Sequence, residues 1–492
     1  MAQSQMQFKK LLYIPFLSIA AAFIIYTSFM SSGPIFEGYD FIDFFRTHSF
    51  FSAFPWSAGR PLTPLVWFLA AKTGGIGKTG FFLIYIFHES IKLFAIFRLR
   101  AHLKFFTVPL VLLSIALPGW NIFTNERYSA AQFALSFSIL GISFYLTSRK
   151  YLSIFFMLCA VFTYPPSVVF ASLGILCANV VSHNGLHMSK SKWSKTKYIF
   201  VVPIFYFLTA DVFLKLFKVS SYDTSSSRPG FHHIWSYIRE ITGTLVWRTP
   251  GDCVLILCVL IATLLVTNNF KQTLIQIGLV LIYIFMAEFV YAVSNYYIRD
   301  RERIFYIAAG VVFIFLYVRI YSNSTNNFST SRYTSSLQFR SKLWCYCAIS
   351  LSLISIYCSF TYYKFITTVN ASVISDINSV TNKAKIRSSV VLIDDTGRFG
   401  DVNSLYGSSS LENILTQGNS LLSALNFLNP NIDNADICTK SGIIAFSPIA
   451  ERFPLPAVQN CSGLNLSNYS YVFEVKNYIE NPTITQLRKP IL

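Results

Sequence analysis

Apolar runs of helix-spanning length recur through the first 363 residues, separated by short polar stretches. The runs fall at about 11–30, 79–97, 105–123, 129–147, 199–217, 253–267, 273–293, 304–322 and 344–363. Each approaches the ~20 residues that cross a bilayer. Two stretches are irregular. Residues 61–75 are apolar but short and read as an interfacial or re-entrant piece. Residues 151–181 are too long for one span and are interrupted by Pro165-Pro166, which remove N–H donors and clash with a continuing helix. They read as a hairpin of two short helices.

After residue 363 the pattern changes. Val390-Val391-Leu392-Ile393 predicts a buried strand. Residues 410–428 have helical spacing, with Leu411, Ile414, Leu415, Leu421 and Leu422 on one face and Asn429-Pro430 as the stop. Residues 442–446 and 471–475 predict further strands. The expected fold is an all-α polytopic membrane protein of about 9–11 spans. Residues 1–363 would form the membrane domain, with outer loops at 31–60, 218–252 and 294–303. Residues 364–492 would form a small outer α/β domain.

Composition agrees with that class: 53% of the 492 residues are hydrophobic and 13% charged, against about 25% charged in soluble domains. The net charge of +18 follows from Lys and Arg in cytoplasmic loops, which place the N-terminus inside. No soluble basic domain exists to hold nucleic acid, so that partner is excluded. Seven cysteines lie in apolar runs, whereas Cys438 and Cys461 lie in the tail and are candidates for a disulfide. No Cys/His spacing resembles a zinc site, and no metal site is expected.

Acids gather on the outer side. Glu37, Asp40 and Asp43 recur every third residue, with Arg46 continuing the series and Arg60 closing the loop. Desolvation beside lipid raises a carboxylate's pKa and suits it to act as a base. The same spacing also suits an interfacial helix held by ion pairs. Arg299, Arg301 and Arg303 alternate with Asp300 and Glu302; arginines grip phosphate bidentately, and a charged turn has the same composition. His232, His233 and Trp235 offer contacts to an acceptor, or simply a polar loop surface. Asp211 and Glu288 fall within apolar runs and are candidates to line an outer cavity. Glu89, three residues before Lys92, reads as a structural ion pair.

Asp43-x-x-Arg46 followed by Gly59-Arg60-Pro61-Leu62, together with the break at Phe162-Thr163-Tyr164-Pro165-Pro166, resembles the serotype-converting O-antigen glucosyltransferases of bacteria and their bacteriophages. The resemblance implies an integral, GT-C-like glycosyltransferase of the bacterial inner membrane with a periplasmic C-terminal domain. It implies transfer of glucose from undecaprenyl-phosphate-glucose to O-antigen repeat units of lipopolysaccharide, with inversion. Asp43, Asp40 or Glu37 would be the base. Arg46, Arg60, Arg299, Arg301 and Arg303 would hold the donor phosphate. The implied partners are the lipid-linked donor, the O-antigen polysaccharide, membrane lipid, and a donor synthase and flippase. No cofactor is expected, with a divalent cation left open. The alternatives are a lipid-linked sugar or polysaccharide transporter and an O-antigen polymerase.

Overall fold

The computed structural model describes residues 18–20, 44–45, 48–53, 61–73, 78–99, 129–147, 149–164, 167, 372–382, 387–394, 418–440, 459–476 and 483–488, with isolated positions between 201 and 353. They contain a helical group before residue 168 and a mixed α/β group after residue 371.

Four helices make up the first group: α1 (Thr63–Thr73), α2 (Lys78–Arg98), α3 (Ser129–Leu146) and α4 (Lys150–Thr163). Pro64 sits in the first turn of α1, where its missing N–H has no helical partner to lose. α2 packs on α1 and α3, and α3 packs on α4. Leu93, Ala95, Ile96, Ala134, Ile139, Ile142, Met157, Ala160 and Val161 are buried between them. α3 and α4 approach closely at Gly141, where an added Cβ would lie 2.9 Å from Met157 Cγ and 3.2 Å from the Ser153 carbonyl oxygen. At the far end of α3 the Arg98 guanidinium lies over the Phe144 ring at 4.3 Å and donates to Thr147 Oγ1 at 2.9 Å.

These helices correct the expected polytopic all-α fold. Among the described residues no helix is long and apolar enough to cross a membrane. α1, at 11 residues, is about 16 Å long, and α4, at 14, is about 21 Å; the hydrocarbon layer is about 30 Å thick. α2 includes Lys78, Glu89, Lys92 and Arg98. α3 includes Gln132, Ser136, Ser138 and Ser143, all buried. The apolar runs at 79–97 and 129–147 do form helices with nearly those bounds. Part of their apolar surface packs helix on helix, and they carry buried polar groups that hydropathy averages over.

The second group is built on a five-stranded sheet of order β3-β2-β1-β4-β5. Its strands are β1 (Ser388–Asp394), β2 (Ile432–Thr439), β3 (Gln459–Asn460), β4 (Tyr471–Lys476) and β5 (Thr483–Arg488). β3, β2, β1 and β4 are parallel, and β5 pairs antiparallel with β4. The central strand β1 has Val390, Val391, Leu392 and Ile393 buried, as its unbroken apolar run requires. Helix α5 (Gly418–Leu428) lies in the β1-to-β2 crossover and packs on β2. Leu421, Ala424 and Leu425 form its buried face.

Asn429 then ties three pieces together. Its Nδ2 donates to the carbonyl of Thr381 at 3.0 Å, at the end of the helix over 372–381. Its Oδ1 accepts from the Asn431 N–H at 3.1 Å, at the start of β2. The crossover from β3 to β4 carries two short 3-10 turns in place of a long helix. Cys461, Leu464, Leu466 and Tyr469 from that crossover cover Val391, Ile393, Cys438 and Val472 of the sheet. The Cys438–Cys461 disulfide, with its Cα atoms 4.9 Å apart, fastens this cover. The predicted strand at 442–446 and residues 410–417 of the predicted helix lie outside the described residues.

Candidate functional site

Three features of the helical group combine polar or concave character with defined geometry. The first is a buried charged trio on α2. Lys92 Nζ donates to Glu89 Oε1 at 2.6 Å, and His88 Nδ1 lies 3.4 Å from the same oxygen. His88, Glu89 and Lys92 are at most 2% exposed. The ion pair expected at Glu89 and Lys92 therefore forms. Burial holds the His88 imidazole below its ordinary pKa. Burial alone would raise the Glu89 carboxyl, but the Lys92 charge and then the His88 contacts outweigh it, and the group stays below the usual carboxylate range. A carboxylate so held is a poor proton acceptor near neutral pH. The trio is a charge-neutral pin within the helix group rather than a base.

The second feature joins segments 100 residues apart. In a helix the carbonyl of residue 162 would accept from the N–H of residue 166, and Pro166 has none. The Leu62 N–H takes that place, donating to the Phe162 carbonyl at 3.2 Å. The Ser167 N–H turns to Tyr164, and the buried Thr63 hydroxyl donates to the Thr163 carbonyl instead. Thr163 in turn donates its own hydroxyl to Cys159 O at 2.7 Å. The start of α1 thus caps the end of α4. Both partners come from motifs singled out in the sequence, Gly59-Arg60-Pro61-Leu62 and Phe162-Thr163-Tyr164-Pro165-Pro166.

The third feature is a cleft of about 530 Å³ lined by Ser18, Ile19, Leu69 of α1, the α2 face from Leu83 to Phe94, and Leu140 of α3. Among the described residues no charged side chain lines it. Ile19, Leu69, Leu83 and Phe87 are 43–58% exposed, so the apolar wall is open. The only polar side chains in the lining are the Ser18 and Ser90 hydroxyls, and Ser90 donates its proton to Ile86 O.

Glu37, Asp40, Asp43, Arg46, Arg60, Asp211, His232, His233, Trp235, Glu288, Arg299, Arg301 and Arg303 lie outside the described residues. The residues that flank two of them are described. Phe45, two after Asp43, is 2% exposed and meets Phe68 of α1 edge-on at 5.5 Å. Phe50 meets the same ring at 5.7 Å. Of the residues singled out, the structure brings together Cys438 and Cys461. Among the described residues no three His, Cys, Asp or Glu side chains form a group that could hold a metal ion.

No protein-family model, curated protein or solved structure matches this chain. That result and the helix lengths overturn the resemblance to the O-antigen glucosyltransferases. The integral membrane glycosyltransferase activity goes with it, as do serotype conversion, the multi-pass inner-membrane location, and the transporter and polymerase alternatives. Each of these requires a membrane-spanning bundle that the described helices do not provide. Among the described residues of the motifs behind the resemblance, Leu62, Phe162 and Thr163 have a local structural role at the α1–α4 joint. Sequence reasoning missed the cleft, because its lining residues are ordinary apolar positions whose spacing says nothing of what lies opposite.

Proposed function

We propose that the helical group is a binding unit for a molecule bearing an aliphatic chain, with the cleft between α1, α2 and α3 as its seat. The observation that carries this is the composition of the cleft. Ligand pockets of about 300–1,000 Å³ bury mostly apolar surface with a few placed polar groups, and the described lining of this one has two hydroxyls and no charge. A peptide or sugar seated there would leave its own polar groups unpaired, at a cost of roughly 1–3 kcal/mol each. An aliphatic chain has none to leave. A membrane lipid, expected as a partner from the sequence, belongs to this chemical class.

Phe45 and Phe50 contact Phe68 of α1, and the Leu62 N–H donates to the Phe162 carbonyl of α4. In this reading Arg46 and Arg60 are the groups that meet an anionic head on such a chain, as arginine's planar guanidinium suits carboxylate and phosphate.

The test is displacement of a fluorescent fatty acid from the full chain by unlabelled chains of increasing length. Leu83→Asp and Ser90→Phe should each weaken binding by about tenfold or more, the first by placing a charge on the wall and the second by filling it. Arg60→Ala should weaken binding of chains with an anionic head and leave a neutral-headed chain unaffected. Equal binding by the parent, Leu83→Asp and Ser90→Phe would remove the cleft from consideration.

A further inference from the structure

The sheet has a built feature at the carboxyl ends of its parallel strands. Chain order places β2 and β3 on one side of β1 and β4 on the other, so the topology switches direction between β1 and β4. Open parallel sheets bind ligands in the crevice beyond the carboxyl ends of their strands at such a point.

Register fixes which side chains stand there. Ile393 of β1 is aligned with Cys438 of β2 and Glu474 of β4, and aligned residues of parallel strands share a face. Lys440 and Lys476 lie two residues beyond Cys438 and Glu474, on that same face. Both lysines converge on Glu474. Lys440 Nζ contacts Oε1, and Lys476 Nζ lies 3.2 Å from Oε2. The carboxylate is 4% exposed, whereas the lysines are 48% and 49% exposed. A buried carboxylate therefore holds two half-exposed ammonium groups side by side across the end of β1. The three charges sum to one net positive, and both ammonium-bearing side chains are half-exposed. Asp394 occupies the last aligned position of β1, opposite Thr439 and Val475.

We infer that Lys440 and Lys476, preset by Glu474 at the β1/β4 switch point, bind a phosphate group. Lysine acts there as a point charge on the phosphate oxygens. The carboxylate removes the repulsion that would otherwise drive the two ammonium groups apart. This site is separate from the apolar cleft and does not depend on it.

The full chain is titrated by calorimetry at low ionic strength with inorganic phosphate and, separately, with a nucleoside monophosphate. Hydrogen exchange is followed over residues 471–476. Saturable binding with added protection of that segment is expected. Lys440→Gln and Lys476→Gln should each weaken binding about tenfold, the loss of one charged hydrogen bond. Lys440→Arg and Lys476→Arg should retain it. Tighter binding of the ester identifies a phosphoester ligand, and equal binding identifies the free anion. Absence of binding to the unaltered chain by both ligands, or undiminished binding in the Gln variants, overturns the inference.

Discussion

Removing the Cys438–Cys461 bridge should loosen the sheet while leaving the helical group untouched. The bridge closes a segment of 23 residues, and the chain-entropy relation gives about 3 kcal/mol for a loop of that length. It acts where the fold is thinnest. One face of β1 is covered by the turns over 461–469 rather than by a long helix, and their apolar contribution is Leu464, Leu466 and Tyr469 with Cys461 itself. A cover this small holds few contacts once the bridge is cut, so β1 and β4 should open with it. Cys438→Ala with Cys461→Ala is the appropriate variant, because Cys438 is fully buried and a serine hydroxyl there would add its own cost. Amide hydrogen exchange read by mass spectrometry on the intact chain separates the regions. Protection of peptides from 388–394 and 471–476 should fall about a hundredfold, the equivalent of about 3 kcal/mol. Peptides from α2 serve as the internal reference. Protection of β1 and β4 within about threefold of the oxidised chain, or an equal fall in α2, refutes the reasoning.

Glu89→Gln leaves Lys92 buried without its counter-charge and should destabilise the helical group by about 3–5 kcal/mol, with Glu89→Leu plus Lys92→Met much milder; hydrogen exchange in α2 is the readout. The same trio sets an acid limit. His88 and Glu89 are both held below their ordinary values of 6.5 and 4.5, so the unfolded chain binds more protons and stability is lost as pH falls. The loss should begin below about pH 6.5 through His88 and deepen below about pH 4.5 through Glu89. His88→Phe should flatten the first part of an α2 protection profile taken against pH. Thr63→Val, which keeps shape and removes the hydroxyl that caps Thr163, should cost about 1–2 kcal/mol, whereas Thr63→Ser should cost less; protection of α1 and α4 measures both. The Tyr469 phenol is pushed up to about 12 by burial and by its 2.6 Å hydrogen bond to Asp436. Its contribution is present below the ordinary value of 10.0 and is lost as pH rises through about 12. Ultraviolet titration of Asp436→Asn should show one tyrosine moved back toward 10.0.

Local structure was legible where one signal dominated. The run Val390 to Ile393 is a buried central strand, and residues 471–475 form most of β4. Leu421 lies on the buried face of α5, which ends before Asn429 as the stop signal requires. β2 escaped notice because Asp433, Asn434 and Asp436 sit poorly in strands. It forms because β1 and β3 supply partners on both sides and Tyr469 hydrogen-bonds Asp436. β5 escaped notice because its two apolar residues, Ile484 and Leu487, lie three apart and break the period-two alternation of a strand; its pairing with β4 is irregular at the same place. The membrane class went wrong for a physical reason. Mean hydropathy treats every apolar position alike, yet Leu93 and Ile96 of α2 and Ala134 and Ile139 of α3 are buried within the helical group, which also encloses His88, Glu89, Lys92 and Gln132. Neither the cleft nor the lysine pair at the carboxyl ends of β2 and β4 has a local sequence signal, since each depends on which elements the chain brings alongside.

A proline pair usually marks where a helix has been given up. At Pro165-Pro166 the carbonyls left over from α4 are instead the receptors for Leu62 and Thr63. The length of α4 and the starting point of α1 are therefore one shared setting. Adding a residue within α4, ahead of Phe162, would rotate the receiving carbonyls by about 100° around the helix and misalign both bonds at once. A helix end that would otherwise tolerate insertions is, at this position, held in phase by a segment a hundred residues earlier.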